Sequence, residues 1–211
     1  MIIINTKNYK TRPALLKLAK LIEKYLPKAI IAVPATDISY ITSHTRLNVI
    51  AQHVDNKESG RTTGYVLAES IKAHGAIGTL LNHSEHHLHG DILKETLSRC
   101  HKLKLKTFVC VHDVSAANVV KSLHPTAIAY EDPSLIGTGK PITFYQSNSL
   151  REFVSSLKNN KIIPICGAGI SSAEDVKAAQ ALGCKGVLIA SAIANTSNPE
   201  KLLKALKALD K

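Results

Sequence analysis

Several short stretches of this chain hold side chains able to do acid/base chemistry on a small anion. Glu131 ends an apolar run at 127–130 and enters a segment punctuated by Gly137 and Gly139. A carboxylate at a strand end, followed by a loop that can close over it, suits proton abstraction beneath a lid. His83 stands in Asn82-His83-Ser84-Glu85 at the end of another apolar run. If Ser84 and Glu85 open a short helix, its N-terminus disfavours the imidazolium and keeps a neutral ring that can donate and recover a proton. Asn5-Thr6-Lys7 follows the first apolar run and supplies a cation, with Glu85 available to orient polar neighbours. Gly167-Ala168-Gly169 and Ala190-Ser191 are small residues whose backbone N–H groups can approach a phosphate, aided by a short helix N-terminus. The plainer reading of those glycines is that they serve tight turns.

For these stretches to meet, the elements between them must return every strand end to one rim. Apolar runs at 2–5, 29–33, 49–53, 77–82, 107–111, 126–130, 162–166 and 186–190 read as strands. Between them lie amphipathic stretches at 13–25, 65–73, 91–102, 115–123, 150–157, 173–182 and 199–209, and a shorter turn near 37–43. Pro13 and Pro199 mark two helix starts. Strands that are apolar throughout and separated by helices argue for a buried parallel sheet. About eight such units predict an α/β fold, a (β/α)8 TIM barrel forming a single catalytic domain over 1–211, with short helices and tight loops. The alternative, an open doubly wound sheet, calls for a glycine-rich phosphate loop after the first strand, and Asn5-Thr6-Lys7-Asn8 has no glycine.

Composition narrows the classes further. The N-terminal Met1-Ile2-Ile3-Ile4-Asn5 has neither a basic region before its apolar run nor a small-residue cleavage site, and reads as a strand. The longest apolar runs are strand-length, which argues against a membrane span. Cys100, Cys110, Cys166 and Cys184 lack CxxC spacing, pointing to reduced thiols in a cytoplasmic protein. The net charge of +11 raises a nucleic-acid partner. Against it, Lys17, Lys20 and Lys24, and again Lys201, Lys204 and Lys207, recur at helical spacing and describe solvated faces. No aromatics interleave with them to stack on bases. A positive field also suits capture of small anionic substrates.

Beyond these local arguments, a set of stretches carries a resemblance: Asn5-x-Lys7, Ala51-Gln52-His53-Val54-Asp55, Gly78-Thr79-Leu80-Leu81-Asn82-His83-Ser84-Glu85, Leu135-Ile136-Gly137-Thr138-Gly139 and Cys166-Gly167-Ala168-Gly169-Ile170-Ser171. In this order, over essentially the whole chain, they resemble the triosephosphate isomerase family, specifically its compact archaeal-type branch. The resemblance implies cofactor-free interconversion of dihydroxyacetone phosphate and D-glyceraldehyde 3-phosphate through an enediolate, in glycolysis and gluconeogenesis. It implies Glu131 as the base, His83 as the neutral electrophile and Lys7 as the electrostatic stabiliser. Asn5, Thr6, Lys7, Ile136, Gly137, Gly169, Ala190 and Ser191 would bind the substrate, with 135–139 as the lid. The loop from Asp55 to Gly64 resembles the family's interdigitating loop. Thr63 would then reach towards a neighbour's Lys7 in a homo-oligomer, either dimer or tetramer.

Two departures stand out. Asp132 occupies the position where the family usually has proline, which would loosen the first hinge of the lid and add a second carboxylate next to Glu131. The following Pro133, however, biases Asp132 towards an extended conformation that can turn it away from the base. His86 and His87 stand where arginines are common, and with His83 and His89 they make a histidine-dense stretch. No carboxylate or cysteine cluster completes a ligand set, so no metal is expected. The competing functions are another phosphate-binding barrel, such as a sugar-phosphate epimerase or a thiamine-phosphate-synthase-like enzyme, and a non-catalytic binding protein.

Overall fold

The computed structural model describes residues 1–132, 134–135, 142–158 and 160–209. The elements run β1 (Ile2–Asn5), α1 (Ala14–Tyr25), β2 (Ile30–Val33), α2 (Ile38–His44), β3 (Asn48–Ala51), α3 (Ala68–Ala73), β4 (Gly78–Leu81), α4 (Gly90–Lys102) and β5 (Lys106–Val111). They continue with α5 (Val114–Val120), β6 (Ala127–Tyr130), α6 (Ile142–Tyr145), α7 (Ser147–Ser156), β7 (Ile163–Cys166), α8 (Ala173–Ala181), β8 (Gly186–Ile189), α9 (Ser191–Ala194) and α10 (Pro199–Lys207). The strands form a closed parallel barrel in the order β1 to β8, with β1 pairing β8. The (β/α)8 architecture expected from the alternation is the one observed. The open sheet is excluded, because closure leaves no sheet edge.

Strand alternation sorts the apolar residues into two cores. Ile3, Ile30, Ile50, Leu80, Phe108, Ala129, Ile165 and Leu188 fill the barrel interior. Ile4, Ile31, Val49, Leu81, Val109, Ile128, Cys166 and Val187 face the helical layer. There they meet one stripe of each long helix, such as Leu15, Leu18 and Ile22 of α1 and Leu202, Leu203 and Leu206 of α10. A fully buried leucine of this kind contributes about 1.5–3 kcal/mol over an exposed one. Lys17, Lys20, Lys24, Lys201, Lys204 and Lys207 are exposed on the opposite faces. All four cysteines are free and buried.

Local chemistry starts the helices. Ser172 and Asp175 form a capping box on α8, Asn198 caps α10 with Pro199 in its first turn, and Asp113 caps α5. Pro13 sits one residue outside α1 rather than in its first turn. A larger difference concerns His83. The residues after it form a turn closed by the His86 N–H on the His83 carbonyl at 2.8 Å, and the next helix begins only at Gly90. The helix expected to open at Ser84 and Glu85 is therefore not formed, and the neutrality of His83 needs another cause. The short helix α9 begins at Ser191, where a short helix N-terminus was expected, whereas α6 is a separate element the alternation does not announce. No helix among the described residues is long and apolar enough to cross a membrane.

Candidate active site

The strand ends meet at a cavity of about 400 Å3 whose walls include Asn5, Lys7, His83, Glu131, Gly167, Gly169, Ala190 and Ser191. Parity explains most of this set. Ile3 points into the barrel, so Asn5 continues the inward series while Thr6 turns towards the helices. Thr6 is fully buried, its hydroxyl donating to the Ala32 carbonyl at 2.9 Å, and it does not line the cavity. Ala127 and Ala129 point inward, so Glu131 is next. On β7, Ile165 points inward and Gly167 follows.

Glu131 and Gly167 are neighbours across the β6–β7 pair, where Tyr130 registers with Cys166 and the Gly167 N–H donates to the Tyr130 carbonyl at 2.9 Å. A Cβ on Gly167 would lie 2.6 Å from Glu131 Cγ and 3.2 Å from the Tyr130 oxygen. Glycine is required there by space, because any side chain would displace that of Glu131.

His83 breaks the parity rule. Leu80 faces inward, which alone would turn His83 outward, but Asn82 adopts a left-handed conformation with φ 55° and redirects the chain. Asn82 is held there by both ends of its amide, which donates to the Cys110 carbonyl and accepts from the Leu88 N–H, each at 2.9 Å. Lys7 is likewise left-handed, with φ 44°. Its own N–H donates to Asn5 Oδ1 at 3.0 Å, and Gln52 donates to its carbonyl at 2.9 Å. Such conformations cost about 1–3 kcal/mol each unless the surroundings enforce them.

The electrostatics follow from burial. Glu131 is 4% exposed, and its Oε2 has no hydrogen-bond partner among the described residues. Burial pushes its carboxyl up to about 7, a rise that the Cys110 thiol and Lys7 oppose and Glu85 reinforces. His83 Nε2 lies 3.7 Å from Glu131 Oε1, too long for a hydrogen bond. On the other side of the ring, the Glu85 N–H donates to Nδ1 at 3.1 Å. Nδ1 is therefore the acceptor, and the neutral ring carries its proton on Nε2, which points at the cavity. Burial lowers the His83 pKa, with Lys7 and His87 acting in the same direction against Glu85. Lys7 Nζ pairs with Glu85 Oε1 at 2.5 Å.

The structure thus brings together Asn5, Lys7, His83, Glu131, Gly169, Ala190 and Ser191, and leaves Thr6 outside. Ile136 and Gly137, with the rest of the expected lid at 136–139, lie outside the described residues. Asp132 does not stand free beside Glu131. Its Oδ1 accepts from the Ser134 N–H at 2.8 Å and the Ser134 hydroxyl at 2.7 Å. Tyr9, Ser171, Ala192 and Asn195 also line the cavity and were not singled out from the sequence. Tyr9 and Asn195 carry no local signal beyond closeness to Lys7 and Ser191. In the histidine-dense stretch, the rings of His86 and His53 stack with centroids 4.0 Å apart. Among the described residues, no three His, Cys, Asp or Glu side chains converge as a metal-binding group.

A closed parallel barrel with a buried carboxylate, an imidazole and a lysine sharing the cavity at its C-terminal face is the architecture of a (β/α)8-barrel enzyme. The comparison with known proteins narrows this class. The triosephosphate isomerase family model matches residues 1–206. The triosephosphate isomerase of Sulfolobus acidocaldarius is 38% identical over 100% of this chain and 97% of its own length. That of Methanocaldococcus jannaschii is 37% identical over 98% of both chains, and that of Metallosphaera sedula 39% identical over 96% and 92%. The chain belongs to the triosephosphate isomerase family and is an isomerase.

Proposed function

We propose that this chain, as a single catalytic domain, interconverts dihydroxyacetone phosphate and D-glyceraldehyde 3-phosphate through an enediolate. Glu131 acts as the base that moves the proton between the two carbons. His83 donates from Nε2 to the carbonyl and then to the enediolate oxygens, and Lys7 balances the developing negative charge. Asn5, Gly169, Ala190 and Ser191 bind the substrate, the last three gripping the phosphate. The family match supports the reaction. The observation that carries the assignment of roles is the buried carboxylate of Glu131, 3.7 Å from a neutral imidazole and with one oxygen that no described residue partners. A carboxylate near 7 is well matched to a base working at neutral pH.

The same reading includes assembly of identical copies through the loop from Asp55 to Gly64. A second cavity, of about 450 Å3, adjoins the first on the side of Lys7 and is lined by Asn8, Gln52, His53, Glu85 and His86. It offers a seat for a neighbour's loop beside Lys7. A coupled isomerase assay of the parent and of Glu131→Gln tests the central claim. The variant should lose activity by about 10²–10⁴-fold while keeping the parental fold. Full activity in Glu131→Gln would remove Glu131 from the role.

A further inference from the structure

The cleft beside Lys7 holds a feature that the isomerase reaction does not use. His53, at the end of β3, and His86, in the turn after β4, stack face to face with ring centroids 4.0 Å apart and planes 20° apart. His86 is exposed, whereas the His53 side chain is only 14% exposed. His53 Nε2 lies 3.3 Å from Asp55 Oδ1. Asp55 in turn closes the base of the loop that follows. Its N–H donates to the Val66 carbonyl at 2.8 Å, and its Oδ2 accepts from the Val66 N–H at 2.7 Å. The imidazole pair therefore lines the cleft and also braces the root of the loop from Asp55 to Gly64.

Two imidazoles at this separation cannot both be charged without strong mutual repulsion. His53 resists protonation, chiefly through burial and further through His86, while Asp55 pulls the other way. The other titratable side chains lining the cleft are Lys7, Glu85, His83 and Tyr9. Lys7 and Glu85 pair with each other through Nζ and Oε1. A second copy's loop seated in the cleft strips more water from the rings, and of its charged side chains Lys57 and Arg61 also oppose ring charging while Glu58 is held by Arg99 of its own copy.

We infer that the stacked His53 and His86 make association of identical copies at this cleft sensitive to acid, the assembled form holding both rings neutral and separating on acidification. The inference rests on the proposed seating of the Asp55–Gly64 loop of a second copy there. The sign is fixed by linkage. The assembled state binds fewer protons than the separated chains, so assembly is complete above the ordinary histidine pKa of about 6.5 and is lost as the pH falls through and below it.

Sedimentation velocity across a dilution series gives the dissociation constant at pH 7.5, 6.5 and 5.5, with circular dichroism at each pH to show that the separated chains stay folded. Each proton excluded on assembly should raise the dissociation constant about tenfold per pH unit below 6.5. His86→Gln, which leaves one ring and no imidazole to repel, should flatten that dependence, and His53→Gln should do the same from the buried side. Association whose constant does not change between pH 7.5 and 5.5 would overturn the switch and leave the interface standing. So would an unaltered pH slope in both variants. A chain that does not self-associate at pH 7.5 would overturn the interface and the switch with it.

Discussion

Replacing Gly167 by alanine puts a methyl group where the side chain of Glu131 now lies. The new Cβ would be 2.6 Å from Glu131 Cγ and 3.2 Å from both Glu131 Oε1 and the Tyr130 carbonyl oxygen. The Tyr130 oxygen is backbone and cannot yield, because it accepts the Gly167 N–H within the barrel. Glu131 is pinned at its own N–H, which donates to the Val111 carbonyl at 2.8 Å, so its side chain must move alone. Regaining the 3.4 Å at which ordinary contact begins needs a retreat of about 0.8 Å. A small cavity of about 10 Å3, lined by Asn82, Ser84, Cys110 and His112, adjoins Glu131 and can absorb part of that movement. Misplacing a reacting group by about 1 Å costs about 100-fold in rate, or about 2.7 kcal/mol of barrier. Steady-state isomerase kinetics in both directions should show that loss mainly in kcat, because Gly169 and Ser191 are untouched. Deuterium at the transferred position should slow the variant more than the parent, since proton transfer becomes the slow step. A stable Gly167→Ala protein with kcat within threefold of the parent and an unchanged isotope effect would refute the reasoning.

Two further outcomes follow from the same geometry. With the Glu131 carboxyl at about 7 in the free enzyme, kcat/KM should be half-maximal near pH 7 and fall about tenfold per unit below it. A profile flat from pH 8 to 5 would exclude Glu131 as the titrating base. The raised value also has a stability sign: the fold favours the neutral acid, so the stabilisation present below the unfolded value of 4.5 is lost as the pH rises through about 7. Glu131→Gln should therefore gain on the order of 3 kcal/mol at pH 8 and little at pH 4, read from denaturant melts at the two pH values. Asp132→Ala frees Ser134 from two bonds worth about 0.5–1.5 kcal/mol each. It should lower kcat severalfold without moving the pH profile, because Asp132 is not among the groups that shift Glu131. A displaced acid limb in that variant would show that the two carboxylates do interact.

Most of the barrel was legible because its signal is periodic. Each strand is a short apolar run, and closure buries both faces, so the alternation between strands and amphipathic helices carries over to the fold almost residue for residue. The candidate site was legible where it follows strand parity, as at Asn5 and Glu131. The same rule, applied strictly, would have set Thr6 aside, since its neighbours on β1 show which face it takes. What stayed hidden depends on local backbone geometry that no period encodes. The left-handed Asn82 that turns His83 into the cavity is one example, and the turn that replaces the expected helix after it is another.

That turn changes the physical account of His83 while leaving its state the same. A helix N-terminus would have opposed the imidazolium through aligned peptide dipoles. Here the work is divided between burial, which opposes charge on the ring, and one N–H from Glu85, which decides where the ring's single proton sits. The side chain of that same Glu85 pairs with Lys7, which lowers both the His83 and the Glu131 pKa, and its own charge raises both. The residue thus fixes the imidazole tautomer through its backbone and moderates the lysine through its carboxylate. A neutral imidazole and an ionisable carboxylate can then share one cavity, because the cation that acts on both is partly balanced by Glu85 and neither group has to neutralise it alone.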